Sequence, residues 1–257
     1  MIMKRLHERE NQLKELFCHL APWIGNIYYF DCVPSTMDIA FSIDQDTPVN
    51  NTLIVTELQT HGRGRFGRRW YSGIHDLQLS VLLTVYDYRI PYSMVSSYAV
   101  YGAFKRYTDH VKLKWINDVL WDNGLKIAGV LTEEQQDRTV VGIGVNLNSD
   151  ELHKVVRNTA TTYYIETGKT IQKELFLRDI LSELFFLLDK IENHGISEVL
   201  EDWERASRIC GKKVVIKNAH GRFHGTAEGI HKETGALLLN CNGKQIEIYE
   251  GSFQYDL

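Results

Sequence analysis

Nine residues of this sequence, Gly62-Arg63-Gly64-Arg65-Phe66-Gly67-Arg68-Arg69-Trp70, hold three glycines and four arginines in a chain whose net charge is −4. Packing a core requires no such combination. Glycine lets a backbone come close to a ligand, and arginine offers a permanent charge with a rigid fork of donors. The segment reads as a flexible loop that closes over an anion, with Trp70 as an apolar anchor. A solvated surface loop, or a glycine–arginine contact to RNA, would have the same composition. Charge-assisted hydrogen bonds are worth roughly 1.5–3 kcal/mol each, so a few of them offset the entropy of ordering such a loop.

Two further clusters carry polar groups at chemically useful spacing. Lys112, Lys114, Trp115, Asn117 and Asp118 are followed by Lys126 and Gly129, and strand alternation turns part of this set to one face. Singly, Asn117-Asp118 reads as a turn and Lys126 as a surface lysine. Together, a lysine on one hairpin strand, an aspartate at the neighbouring turn and a glycine three residues on suit the floor of a phosphate site. Gly142-Ile143-Gly144-Val145-Asn146 either relieves crowding at a strand end or lets the backbone approach a flat ring. Two other runs are set aside. Gly168-Lys169-Thr170 ends like a P-loop but has Tyr163 where a glycine is needed, and His7-Glu8-Arg9-Glu10-Asn11 lacks the second histidine of a zinc-protease helix.

Positioning these residues requires a recognisable set of elements. Residues 3–20 place Leu6, Leu13, Leu16, Phe17 and Leu20 among charges and predict one amphipathic helix. Tyr28-Tyr29-Phe30 predicts a short strand. Ser35-Thr36-Met37-Asp38 has the form of a capping box, a hydroxyl at the cap with an acid three residues on. Strands are expected at 53–57, running into the Gly/Arg loop, and at 77–85, with a helix over 93–107. Three strands in succession are expected at 111–116, 119–122 and 126–132. Asn117-Asp118 and Asn123-Gly124 join them, Asn-Gly being a strong hairpin signal. A strand at 139–146, a long helix over 172–193 and a helix over 197–208 follow. After Cys210 the pattern changes to short strands at 212–217, 222–230, 236–240 and 244–249, which predicts a small barrel and a boundary near residue 209.

The chain's 257 residues allow one large domain with or without a small one. Hydrophobic residues at 44% and charged ones at 24% are ordinary for a soluble globular protein. The net negative charge makes the arginines a local device and not a general nucleic-acid coat. The first 25 residues are too charged for a signal peptide, and no apolar run is long enough to cross a membrane; a cytoplasmic location is expected. Cys18, Cys32, Cys210 and Cys241 form no CxxC pair and read as reduced thiols, with no metal site predicted.

These residues, in this order and spacing, resemble the biotin protein ligases (biotin–[acetyl-CoA-carboxylase] ligases). The likeness rests on Ser35-Thr36, on the stretch from Glu57 through Gln59 to Trp70, on Lys114-Trp115-Ile116-Asn117-Asp118 with Lys126 to Glu133, and on Gly142 to Asn146. The pattern GRGRxGRxW is highly specific to that family. The resemblance implies an α+β fold. A mixed-sheet catalytic domain like that of class II aminoacyl-tRNA synthetases would span residues 26–208. A helical extension over 1–25 precedes it, and a C-terminal SH3-like β-barrel over 209–257 follows. It also implies two half-reactions: biotin and Mg2+·ATP give biotinyl-5′-AMP and pyrophosphate, and a lysine of a biotin carboxyl carrier protein of acetyl-CoA carboxylase then takes the biotinyl group.

By the same resemblance Lys126, Asp118 and Arg65 would be the catalytic groups. Ser35, Thr36, Gln59, Gly62, Arg63, Lys126 and Gly129 would bind biotin. Arg65, Arg68, Trp70, Asn117, Lys126 and Asn146 would bind ATP and the adenylate, with Trp70 near the adenine. The sequence departs from the family at Pro34, Met37 and Ile116, where Asp, Asn and Pro are common, and its ending, Glu250 to Phe253, is a loose match that puts nucleotide contacts from the C-terminal unit in doubt. Only about 25 residues precede the catalytic part, against about 60 in the operator-binding domain of bifunctional relatives. A monofunctional ligase without specific DNA binding is therefore expected, and a homodimer remains open. A lipoate or octanoate ligase of the same fold is the alternative enzyme.

Overall fold

The computed structural model describes residues 3–43, 51–84, 87, 89–135 and 138–255. The predicted strand end at Val85 falls outside them. Two sheets make up the β structure. Seven strands form the larger: β1 (Ile24–Val33), β2 (Asn51–Gln59), β3 (Leu77–Leu83), β4 (Val111–Lys114), β5 (Asp118–Trp121), β6 (Lys126–Gln135) and β7 (Arg138–Val145). They lie in the order β1-β2-β3-β7-β6-β5-β4. Only β1 and β2 are parallel, connected through α2 (Thr36–Ser42); the other neighbours are antiparallel. The sheet is therefore mixed, and the fold is α+β.

Alternation along the strands gives this sheet two unlike faces. Leu53 and Val55, Leu77 to Leu83 at odd positions, and Val141, Ile143 and Val145 enter the main core. That core is closed by α3 (Tyr92–Lys105) and α5 (Lys173–His194). The opposite face holds Gln78 and Ser80 on β3, Gly142 and Gly144 on β7, and Gly129 on β6. α2 covers part of it, through a small cluster of Met37, Ala40, Ile54, Leu82 and Val140. Small and polar residues on an otherwise apolar sheet leave a groove beside α2.

The N-terminal segment packs against the sheet. α1 (His7–Leu16) is shorter than the predicted helix, because the chain leaves helical geometry at Phe17 (φ −102°, ψ 21°) and makes a separate 3-10 turn over Cys18–Leu20. Leu13, Phe17 and Leu20 are buried in the core. The predicted strand around Tyr28 extends over ten residues and carries residues 4–6 along its free edge, where Leu6 N–H donates to Tyr29 O at 2.7 Å. Asn123-Gly124 forms the predicted turn, with Gly124 at φ 89°. β4 stops at Lys114, two residues before the expected end, and Trp115 to Asn117 make the turn. α4 (Tyr163–Thr167) was not predicted; Thr162 caps it by accepting from Ile165 N–H at 2.9 Å.

The second sheet follows α6 (Ser197–Ser207). It comprises β8 (Lys213–Asn218), β9 (Gly221–Ile230), β10 (Leu237–Cys241), β11 (Lys244–Ile248) and β12 (Ser252–Tyr255). The first four lie close to the predicted strands, and β12 is additional. All pairings are antiparallel, in the open order β11-β10-β9-β8-β12, with β11 and β12 at the edges. The expected SH3-like topology is present as this sheet; among the described residues its edge strands do not pair with each other to close a barrel. Two contacts bind it to the larger unit: the buried Trp115 Nε1–H donates to Gly235 O at 3.1 Å, and half-buried Glu204 on α6 accepts from Ile230 N–H at 2.5 Å.

Candidate active site

The groove beside α2 is a cavity of about 240 Å³. Its floor is made by Gly129 and Gly144, register partners on β6 and β7. A methyl group added at Gly144 would stand 2.6 Å from Cζ2 of Trp70, and one at Gly129 would stand 2.6 Å from Lys126 Nζ and 3.3 Å from Trp70 Cζ3. At Gly144 the indole lies directly on the backbone and leaves no room for a side chain, whereas at Gly129 the close neighbour is the movable end of Lys126. The flat ring expected against Gly144 is thus Trp70 itself. Its Nε1–H is buried with no acceptor among the described residues.

One end of the groove is a polar wall. Ser35, 1% exposed, caps α2 by accepting from Met37 N–H at 3.3 Å. Thr36 donates to Gln59 Oε1 through its N–H at 2.8 Å and its hydroxyl at 3.2 Å, and its Oγ1 lies 2.7 Å from Ser80 Oγ. Three side chains from α2, β2 and β3 so converge, offering both donors and acceptors. Ser80 was not singled out from the sequence. Its only sign was its place two residues after Gln78 in an apolar strand.

The Gly/Arg segment is a short hairpin in this structure. Trp70 N–H donates to Gly62 O at 2.8 Å and Gly64 N–H to Arg68 O at 2.8 Å, with a bridge between Arg63 and Arg69. Its tip is a 3-10 turn over Arg65–Gly67, with Phe66 in the left-handed region at φ 59° and exposed. Gly62 is buried at the base behind Gln59 and does not line the cavity; an added Cβ would meet Trp70 O at 2.9 Å. Arg63 points away from the floor. It pairs with Glu133 at 2.9 Å and with Asp38. Asp38 therefore serves as an anchor for the hairpin and not as the returning half of the predicted capping box. The hydrogen bond from Arg63 to Glu133 pushes the guanidinium above its ordinary value, against the effect of burial.

The other end is cationic. Lys126 Nζ lies 2.6 Å from Asp118 Oδ1 and 5.3 Å from the centroid of the Trp70 ring. Arg65 reaches in from the hairpin tip and donates to Asn117 Oδ1 at 3.2 Å; burial pushes its guanidinium below its ordinary value, with Asp118 opposing. Asn117 is fixed by its own bond to Val130 O at 2.6 Å, and Asn146 donates to Lys126 O at 3.4 Å. Lys114 also faces this end. Arg68 Nη2 donates to Ser252 Oγ at 3.4 Å. Trp70 sits between the two ends on the floor, next to Lys126 and not apart from it.

The structure thus brings together every predicted site residue except Gly62, which lies just behind the wall. Two contributions were missed. Residues 156–160 form a side of the groove, and Thr159 O and Thr161 N–H hold the Lys126 backbone at 3.0 and 2.9 Å. Gly251, Ser252 and Phe253 bring the second sheet into the cavity, the very segment whose loose match had put such contacts in doubt.

Comparison with known proteins agrees with this geometry. Residues 29–150 match the biotin/lipoate A/B protein ligase family, and residues 209–255 match the biotin protein ligase C-terminal domain. The chain is 33% identical over 213 residues to the biotin–[acetyl-CoA-carboxylase] ligase of Mycobacterium tuberculosis, covering 79% of this chain and 78% of that protein. It is 28% identical over 241 residues to the bifunctional ligase/repressor BirA of Bacillus spizizenii, covering 89% and 74%. The fold is similar to that of the biotin protein ligase from Aquifex aeolicus in complex with biotin and ATP, with a TM-score of 0.80 at 29% identity over 90% of this chain and 98% of the other. Two sheets meeting at a glycine-floored groove with one polar and one cationic end, and these likenesses along nearly the whole chain, establish that the protein belongs to the biotin protein ligase family.

Proposed function

We propose that this protein activates biotin with ATP as biotinyl-5′-AMP and transfers the biotinyl group to a lysine of a biotin carboxyl carrier protein, that of acetyl-CoA carboxylase. The observation that carries the proposal is the single groove with two chemically distinct ends. The polar wall of Ser35, Thr36 and Gln59, backed by Ser80, suits a ureido ring, which presents both donors and acceptors. The cationic end suits a carboxylate and phosphates.

In the first step a carboxylate oxygen of biotin attacks the α-phosphorus of ATP, and pyrophosphate leaves with the electrons of the broken P–O bond. Two anions must meet, so Lys126 and Arg65 stabilise charge in the transition state, and Asn117 holds Arg65 in place. The site mainly positions two reactants. Arg68 and Asn146 support the nucleotide end, and backbone at Gly62 and Arg63 supports biotin at the hairpin base. Trp70 must shift for biotin to lie on Gly129, and it then covers the adenylate from the hairpin side.

In the second step the carrier lysine amine attacks the carbonyl of the mixed anhydride and AMP leaves. Asp118, 2.6 Å from Lys126, is the carboxylate that orients the incoming amine and accepts its proton. Mg2+ enters with the triphosphate. Lys126, Arg65 and Arg68 supply positive charge at the phosphate end. Residues 26–208 form the catalytic domain in this proposal and 209–257 the unit that lends Gly251 to Phe253. No helix among the described residues is long and apolar enough to cross a membrane, and the proposed reaction is cytoplasmic.

The test is ATP–pyrophosphate exchange with each acid. Exchange that requires biotin and is not supported by lipoate is the expected result. Exchange with lipoate and none with biotin would overturn the assignment.

A further inference from the structure

The outer face of the second sheet carries cations that no step above uses. Alternation along β8 and β9 turns Val214, Ile216 and Phe223 toward the core, and Lys213, Lys217, Arg222 and His224 to the other side, where all four are exposed. The strand register sets part of this face in one row. Ser252 on β12 is opposite Lys217 on β8, and Lys217 is opposite Arg222 on β9. Register partners of an antiparallel pair share a face, so the three side chains stand side by side. Arg68 of the hairpin joins the row at the Ser252 end, donating to its Oγ at 3.4 Å.

The chain does not neutralise this row. Among the described residues Lys213, Lys217 and Arg222 make no side-chain hydrogen bond and no ion pair. The carboxylates of the second sheet are engaged elsewhere: Glu228 accepts from Asn240 Nδ2 at 2.7 Å and from Gln245 Nε2 at 2.5 Å, Glu247 accepts from the Tyr249 hydroxyl at 2.5 Å, and Glu250 acts on Arg65 in the groove. Like charges directly opposite on two strands disfavour the pairing, so Lys217 against Arg222 does not serve the fold. In a chain of net charge −4 these cations mark one face. That face starts at the groove and leads away from it, because Ser252 lines the cavity and Lys217 and Arg222 do not. Biotin and ATP react inside; the carrier domain is the one reactant that extends beyond. A specific interface covers about 800 Å² on each partner, a disc of about 16 Å radius. Strands are roughly 4.8 Å apart, so Arg222 lies about 10 Å from Ser252, within such a footprint around the rim.

We propose that the row of Lys217 and Arg222 beside Ser252 is a docking surface for an acidic patch on the carrier domain, next to the lysine that receives biotin. The inference rests on the ligase reading and adds to it the face by which the protein partner is held. Exposed charges at the edge of an interface act mainly on the rate of encounter and on its salt dependence. The row therefore steers the carrier and sets its orientation, and takes no part in making or breaking bonds.

The experiment compares the double variant Lys217→Glu with Arg222→Glu, and the charge-keeping variant Lys217→Arg, with the unsubstituted protein. Three readouts are taken: the KM for a biotin carboxyl carrier domain in transfer from prepared biotinyl-5′-AMP, cleavage of the same bound adenylate by hydroxylamine, and biotin-dependent pyrophosphate exchange. The double reversal is expected to raise the carrier KM about tenfold at low salt, and the difference is expected to vanish near 1 M salt, where screening acts within about 3 Å. Hydroxylamine cleavage and exchange stay unchanged, and Lys217→Arg behaves as the unsubstituted protein. An unchanged carrier KM, or an equal loss with hydroxylamine, would overturn the docking surface. So would salt-sensitive binding of duplex DNA or RNA that the reversal abolishes while the carrier KM stays the same, which would give the face to nucleic acid. In each of these outcomes exchange by the unsubstituted protein still upholds the ligase reading; its absence would remove both.

Discussion

The ammonium of Lys126 is held from three directions: by Asp118 at 2.6 Å, by the Trp70 ring beneath it, and through a backbone clamped between residues 159 and 161. Asp118 and the clamped backbone stay in place when Trp70 shifts, and a cation held in advance where charge develops is the usual source of large electrostatic effects on rate. Lys126→Ala is expected to lower adenylate formation by roughly 10²–10³-fold, with near-unchanged circular dichroism and a cooperative melt. Exchange near the unsubstituted rate would remove Lys126 from its role. At this scale the sequence was most informative where several polar types shared a short span. Lys126, Asp118 and Asn117 each had a bland reading, and the structure brings them together, Lys126 on β6, Asp118 at the start of β5 and Asn117 in the turn before it. Ser80 was hidden because one serine in a buried strand has no distinguishing neighbour. Arg63 was expected in a flexible loop; it lies in a hairpin, and its side chain goes to Asp38 and Glu133, a pairing across 25 and 70 residues that no local pattern encodes.

Elements decide how well these residues stay in place. The hairpin from Gly62 to Trp70 is anchored at its base by Arg63 and at its tip by the bond from Arg65 to Asn117. Arg65→Gly is expected to free the tip, so that biotinyl-5′-AMP is released about tenfold faster, as loss of a charge-assisted bond implies; a stopped-flow or filter assay of adenylate release checks this, and an unchanged rate contradicts it. α1 is held to β1 by a second device. Glu10, 3% exposed, accepts from Arg5 Nε at 2.6 Å and from Tyr29 N–H at 3.0 Å. Burial pushes its carboxyl up, but these bonds outweigh burial and hold it below the ordinary 4.5. Its ionised form therefore contributes stability that is complete above pH 4.5 and lost as pH falls through the lower folded value. Glu10→Gln is expected to cost about 1–3 kcal/mol at neutral pH, with the gap in denaturant midpoint narrowing below pH 4.5; a gap that stays constant with pH would count against it. Strands and helices with clear periodicity were legible in the sequence, within a few residues. The helix over 3–20 was overextended because Phe17 and Leu20 keep the apolar spacing while the backbone turns to bury them.

The molecule as a whole places its site at the seam between two sheets. The larger sheet provides floor, wall and Lys126; the smaller one lends Gly251, Ser252 and Phe253, and is held there by Trp115 to Gly235 O and by Glu204 to Ile230 N–H. The change to short strands near residue 209 was legible, since turn residues recur at short intervals there. The return of residues 251–253 to the catalytic groove was not, because β12 is four residues long and its contacts cross more than 130 residues. This architecture gives the proposed ligase a covered site in which a mixed anhydride survives until an amine arrives. The most direct measurement is the intact mass of a biotin carboxyl carrier domain after incubation with this protein, biotin and Mg2+·ATP. One added biotinyl group on a single lysine, dependent on ATP and absent with Lys126→Ala, is the expected result. A carrier mass unchanged under these conditions, with the protein folded and the carrier lysine intact, would contradict it.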